Sequence, residues 1–134
     1  MLVTTAAMCL ALTIYHESRG EPKAGQTAVG MVALNRAGGD DSKVCDVVFA
    51  KNQWSWTRGN FIKTQDGWVI LKPAQPTESK AWAIAQKKAE ALLAGKKSDP
   101  TGGATHFHHI SINPRWANQR TKTVVIGRHV FHRL

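Results

Sequence analysis

Apolar residues dominate the start of the chain from residue 4 to residue 15, until Gly20 and Pro22 break the run. This pattern predicts a helix over 4–15, within a core segment that reaches back to residue 1. A second helix is predicted over 24–37, where Val29, Val32 and Ala33 share a face widened by Met31 and Leu34, and Gly38-Gly39 ends it. Residues 44–50 read as a short helix or turn. Asn52-Gln53-Trp54-Ser55-Trp56-Thr57 alternates polar and aromatic side chains, which predicts an exposed strand or hairpin arm with both Trp on one side. Residues 58–76 carry turn signals and one short strand at 68–71. Over 77–94, Trp82, Ala85, Ala89 and Leu92 recur at helical spacing, with Thr77 and Glu78 as cap and first-turn acid and Gly95 as terminator. The last third holds Gly102-Gly103, a His/Phe run, Asn113-Pro114 and a β-like stretch at 123–126. Together these elements predict a mainly helical α+β fold, a single domain over 1–134, in which a small sheet or hairpin forms one wall of a cleft.

Charge changes that picture more than composition does. The 134 residues carry a net charge of +9, with Lys80, Lys87, Lys88, Lys96 and Lys97 in one region and Arg115, Arg120, Lys122, Arg128 and Arg133 in another. Such a field draws in polyanions. Without a recognition helix, zinc finger or RRM-like aromatic pair, specific nucleic acid is not the expected partner. Anionic envelope polymers suit the same potential. No apolar stretch is long enough to span a bilayer, so no membrane span is expected. Cys9 and Cys45 sit in apolar contexts without a CxxC spacing and read as buried free thiols. The default oligomeric state is a monomer.

Only nine carboxylates are present, so elimination is informative. Asp40, Asp41, Asp66 and Asp99 belong to turns, Glu78 and Glu90 to helix termini or solvated faces, and Asp46 reads as a partly buried structural acid. Glu17 and Glu21 remain. Glu17 falls in the last turn of the first helix, where the negative end of the helix dipole and nearby apolar side chains both disfavour ionisation. A carboxyl that keeps its proton near neutrality can act as a general acid.

The run Tyr15-His16-Glu17-Ser18-Arg19-Gly20-Glu21-Pro22, followed by Gly25-Gln26, Ala28-Val29 and Asn35-Arg36, resembles the opening block of the spore-cortex-lytic-enzyme type of cell wall hydrolases. Val44-Cys45-Asp46-Val47-Val48 with Gln53-Trp54-Ser55-Trp56 resembles a second block, with Trp54 where Phe is the more familiar occupant. Ala104-Thr105-His106-Phe107-His108, Pro114-Arg115-Trp116 and Ile126-Gly127-Arg128-His129-Val130-Phe131 resemble the C-terminal pattern. The resemblance implies a lysozyme-like fold that cleaves peptidoglycan glycan strands, with Glu17 as the catalytic glutamate and no cofactor. Glu17-Ser18 is also similar to the Glu-Ser pair of lytic transglycosylases. A phage or prophage endolysin is the setting implied: a chain made in the host cytoplasm without a signal peptide, acting on the wall after release.

Within that frame Glu21 is a candidate second carboxylate for hydrolysis, or else a partner of Arg19 or Arg36, or a cap for the second helix. Trp54, Trp56 and Trp116 are candidates to stack on sugar faces, with Ser18, Gln53 and His106 bonding hydroxyl and acetamido groups; each Trp also has an ordinary core reading. A competing chemistry is a zinc amidase or peptidase built from His106, His108, His109, His129 and His132, although no HExxH or spaced Cys/His set accompanies them, and the expected metal content is none. A non-catalytic basic wall-binding module is the remaining alternative.

Overall fold

The computed structural model describes residues 1–50 and 54–134. Among the described residues four α-helices build the core: α1 (Ala6–Ser18), α2 (Lys23–Arg36), α3 (Val44–Val48) and α4 (Ser79–Leu93). Two antiparallel sheets complete it. The first has the order β1-β3-β2, from Leu2–Val3, Gly67–Ile70 and Phe61–Thr64, and the second the order β4-β6-β5, from His106–His109, His129–His132 and Lys122–Ile126. The mainly helical α+β architecture expected from the periodicity is present, with two small sheets.

Helix α1 lies at the centre. Cys9, Leu10, Ala11, Leu12, Ile14 and Tyr15 are all buried, so the helix is apolar on nearly every side and is packed by α2, α3 and α4. Thr5 caps it by accepting from the Met8 N–H, and the Glu21 N–H bonding back to Ser18 O closes its far end. The chain start differs from the expected continuous helical segment: Leu2 and Val3 pair with Val69 and Trp68 as an edge strand. Gly67 allows this, because a Cβ there would stand 2.5 Å from Val3 O.

Three further expectations are corrected. Cys9 and Cys45 form a disulfide joining α1 to α3, with Cα atoms 5.3 Å apart; residues distant in sequence met only once the helices packed. Within the described part of the Trp segment, residues 54–57, there is no strand: Ser55–Thr57 form a 3-10 turn in which the Trp54 carbonyl accepts from the Thr57 hydroxyl. Nor does α4 carry its own side-chain cap. The Tyr15 hydroxyl instead accepts from the Thr77 and Glu78 N–H groups, at 3.1 and 3.0 Å, while Glu78 pairs with Arg19.

Candidate active site

Glu17 stands one residue before the end of α1 and lines two cavities at once. One, of about 460 Å³, is bounded by His16, Arg19, Glu21, His109, Arg128 and His129 among others. The other, of about 440 Å³, is bounded by Arg36, Trp54, Ser55, His106, Phe107 and Trp116. Glu17 therefore sits where two adjoining grooves meet. Burial raises its pKa from 4.5 to about 7, against the opposing pull of the Arg36 guanidinium. Desolvation outweighs the cation because the carboxyl gives up water on most sides, while Arg36 is itself half-withdrawn from solvent and donates from Nε to Thr105 O. The carboxyl is thus poised to hold or release a proton close to neutrality.

Glu21 shares the first cavity but has a different environment. Its side chain is 7% exposed, one oxygen receiving the Arg128 N–H at 3.3 Å and lying 3.4 Å from His129 Nδ1. Gly127, at φ 57°, leaves just enough room, since a Cβ there would come within 2.9 Å of the other carboxylate oxygen. The partners weighed from sequence, Arg19 and Arg36, are not the ones found. Glu21 ties the α1–α2 turn to the hairpin between β5 and β6.

The β4 strand explains the distribution of histidines. Strand alternation sends His106 and His108 to one face, with His132 opposite, and Phe107 and His109 to the other, with Phe131 and His129. Across the first face His108 Nε2 lies 3.0 Å from His132 Nε2, and Trp116 packs among the three imidazoles at ring distances of 5.3–5.6 Å. Among the described residues no group of three or more His, Cys, Asp or Glu is placed to hold a metal ion. Burial, first of all, lowers the pKa of His106, His129 and His132 and so favours their uncharged form.

The remaining candidates separate. Trp116, 37% exposed, and His106 both line the second cavity. Trp54 lines it too, but as wall rather than as an exposed platform: it is 4% exposed, below the Arg36 guanidinium and beside Phe107. Trp56 lines neither cavity and stacks on His16 at 4.6 Å, next to Phe49. Ser18 borders the first cavity, is buried, and donates its hydroxyl to Ile14 O. Gln53 lies outside the described residues. Arg36, Phe107 and Arg128 line these cavities without having been candidates from sequence, although each lies within a motif block, and His109 and His129 entered only as ligands in the competing zinc reading.

A sequence model of the family described as Cell Wall Hydrolase matches residues 20–132, beginning just after Glu17. A spore cortex-lytic enzyme of Bacillus cereus is 33% identical over 125 residues, covering 91% of this chain and 42% of the relative. Another from Halalkalibacterium halodurans is 30% identical over 125 residues, covering 91% and 33%. The chain therefore spans well under half the length of these curated relatives. Among solved structures, the catalytic domain of the germination-specific lytic transglycosylase SleB from Bacillus anthracis superposes with a TM-score of 0.67 at 27% identity, covering 96% of this chain and 93% of that one. The catalytic domain of Bacillus cereus SleB gives 0.68 at 27% identity, covering 96% and 89%. The lysozyme-like fold implied by the motifs agrees with these neighbours.

Proposed function

The chain belongs to the cell wall hydrolase family, and on that premise we propose that it cleaves the bond between N-acetylmuramic acid and N-acetylglucosamine in peptidoglycan, with Glu17 as general acid. The observation that carries the reading is the position of Glu17 at the junction of two grooves, with a carboxyl that titrates near 7. A glycan strand laid through both grooves crosses that carboxyl with sugars on either side. Glu17 donates its proton to the bridging oxygen as the C1–O bond breaks and an oxocarbenium-like centre develops.

Glu21 bears on the second half of the reaction. Its oxygens face the Arg128 N–H, His129 and Gly127, an environment that fixes a carboxylate in place and leaves little of it to activate water. A single-acid route fits better: the Glu17 carboxylate, once deprotonated, takes the proton from the muramic C6 hydroxyl while that oxygen bonds to C1. The products are a 1,6-anhydromuramic end and a free N-acetylglucosamine end, with no water consumed. The lytic transglycosylase title of one structural neighbour supports this route. Trp116 and His106 line the second groove, which supports a contact with a sugar bound there.

Mass spectrometry of muropeptides released from purified peptidoglycan tests the proposal. Anhydro ends are expected. Reducing muramic ends would replace the single-acid route by hydrolysis, and new amino termini would overturn glycosidic cleavage. The disulfide suits a protein that works in an oxidising compartment, as the envelope is. An endolysin setting is part of the same proposal, and its test is lysis from within when the chain is expressed beside a membrane pore.

A further inference from the structure

A third groove, of about 340 Å³, shares no residue with either cavity at Glu17. It lies between the start of α2 and the outer face of α4, lined by Lys23, Ile84, Lys87, Lys88, Ala91 and Lys97. Positions 84, 87, 88 and 91 form one helical stripe beside the buried stripe of Ala85, Ala89 and Leu92, so the fold itself brings the α4 lysines to the groove. Four ammonium groups gather there, and among the described residues none has a carboxylate within 4 Å; the ion pairs present involve Arg19, Lys63, Arg128 and His129. Lys88 donates to Thr27 Oγ1 at 3.0 Å, which fixes its head at the edge of α2. Burial first, then Lys97 and Lys23, depress its pKa, a sign that these like charges feel one another. Uncompensated positive charge opposes folding, and a bound anion removes that penalty.

We propose that this groove binds successive phosphate groups of a phosphodiester-linked polyol chain of the bacterial envelope. The chemistry of the lining narrows the ligand. Ammonium groups are compact point charges suited to phosphate, and no arginine fork is present for bidentate carboxylate recognition. Four cations in one groove exceed what a single phosphodiester neutralises, which points to a chain rather than an isolated ion. None of the lining residues is aromatic, so bases would find no stacking platform. The surface is concave and Ile84 is its one large exposed apolar side chain, too little to insert into a lipid surface. The envelope as the place of encounter rests on the function proposed above, whereas phosphate binding does not.

The test is calorimetric titration of the full chain with a synthetic glycerol-phosphate decamer. Four neutralised phosphates give a salt slope of about −3, so affinity should fall roughly fifty-fold between about 50 and 200 mM salt. The variant K23Q/K87Q/K97Q keeps Lys88 and its bond to Thr27; it should bind at least tenfold more weakly, with a slope of about −1. A variant with the same net charge, K43Q/K72Q/K122Q, changes exposed lysines outside this groove and should stay within about twofold of the parent, since a site and not the overall field is at issue. Equal weakening in both variants overturns the proposal. So does tighter binding of single-stranded DNA with the same number of phosphates, or binding to phosphatidylglycerol vesicles without binding to the free decamer. Cleavage of phosphate-free peptidoglycan should be unchanged in K23Q/K87Q/K97Q. A chain that binds the decamer yet releases no glycan fragments refutes the catalytic reading alone.

Discussion

Replacing Glu17 by Gln keeps the side-chain shape and removes its titration, which separates its part in catalysis from its cost to the fold. Unfolded, the carboxyl ionises near the ordinary 4.5; folded, it holds its proton up to about 7. Below about pH 4.5 both states are protonated and the group costs nothing. Between the two values only the unfolded chain ionises, so the folded state loses stability as pH rises; above about 7 the loss is complete. The interval from 4.5 to about 7, at about 1.4 kcal/mol per pH unit, amounts to about 3 kcal/mol, net of the attraction of Arg36. Glu17→Gln should therefore be more stable than the parent by about 3 kcal/mol at about pH 8.5, a rise in Tm of roughly 10 °C, and should match it at about pH 4.

Lysis reports the other side of the same carboxyl. Because the acid form starts the reaction, kcat/KM of the parent should fall as pH rises through about 7, and the Gln variant should lose roughly a thousandfold in rate on purified peptidoglycan. Urea denaturation across pH, run beside turbidity assays, measures both effects. A stability gain independent of pH would show that Glu17 is not the buried proton holder; a folded Gln variant with parental activity would place the catalyst elsewhere.

Three other perturbations probe the frame. Replacing Cys9 and Cys45 by Ala opens a loop closed across 36 residues of sequence and should cost about 4 kcal/mol in urea denaturation; an unchanged midpoint would show that the bridge does not form. Tyr15→Phe leaves two N–H groups at the start of α4 without their acceptor and should cost about 1–3 kcal/mol, whereas no loss would mean that water replaces the hydroxyl. Gly127→Ala strains a left-handed position and drives a methyl toward the Glu21 carboxylate. It should lower Tm by a few degrees and reduce kcat while the Glu17 pH profile persists; parental kcat would show that Glu21 does not set the wall of the cleft.

What could be read from the sequence followed the range of each signal. Helical periodicity is local, so α2 and α4 fall within a residue or two of the expected bounds, and Glu17 lies in the last turn of α1 as expected. The charge chemistry of Glu17 was legible for the same reason, because the end of an apolar helix is both dry and dipole-negative; the opposing Arg36 was not, since α2 brings it near only after packing. Alternation misled at Trp54 and Trp56. A period of two over six residues suits a strand, yet two bulky rings also satisfy it in a turn when separate pockets await them, one beside Phe107 and the other on His16. The same period, applied to 106–109, divides the histidines between two faces of β4, as the structure has them. Least legible were contacts across long loops: Cys9 with Cys45, the Tyr15 hydroxyl with α4, and Glu21 with the hairpin at Gly127. All three pin the surroundings of α1 and the turn after it. The segment carrying the acid can therefore be held by residues whose spacing says nothing of the partnership, and this is where substitutions remote in sequence from Glu17 should alter its behaviour.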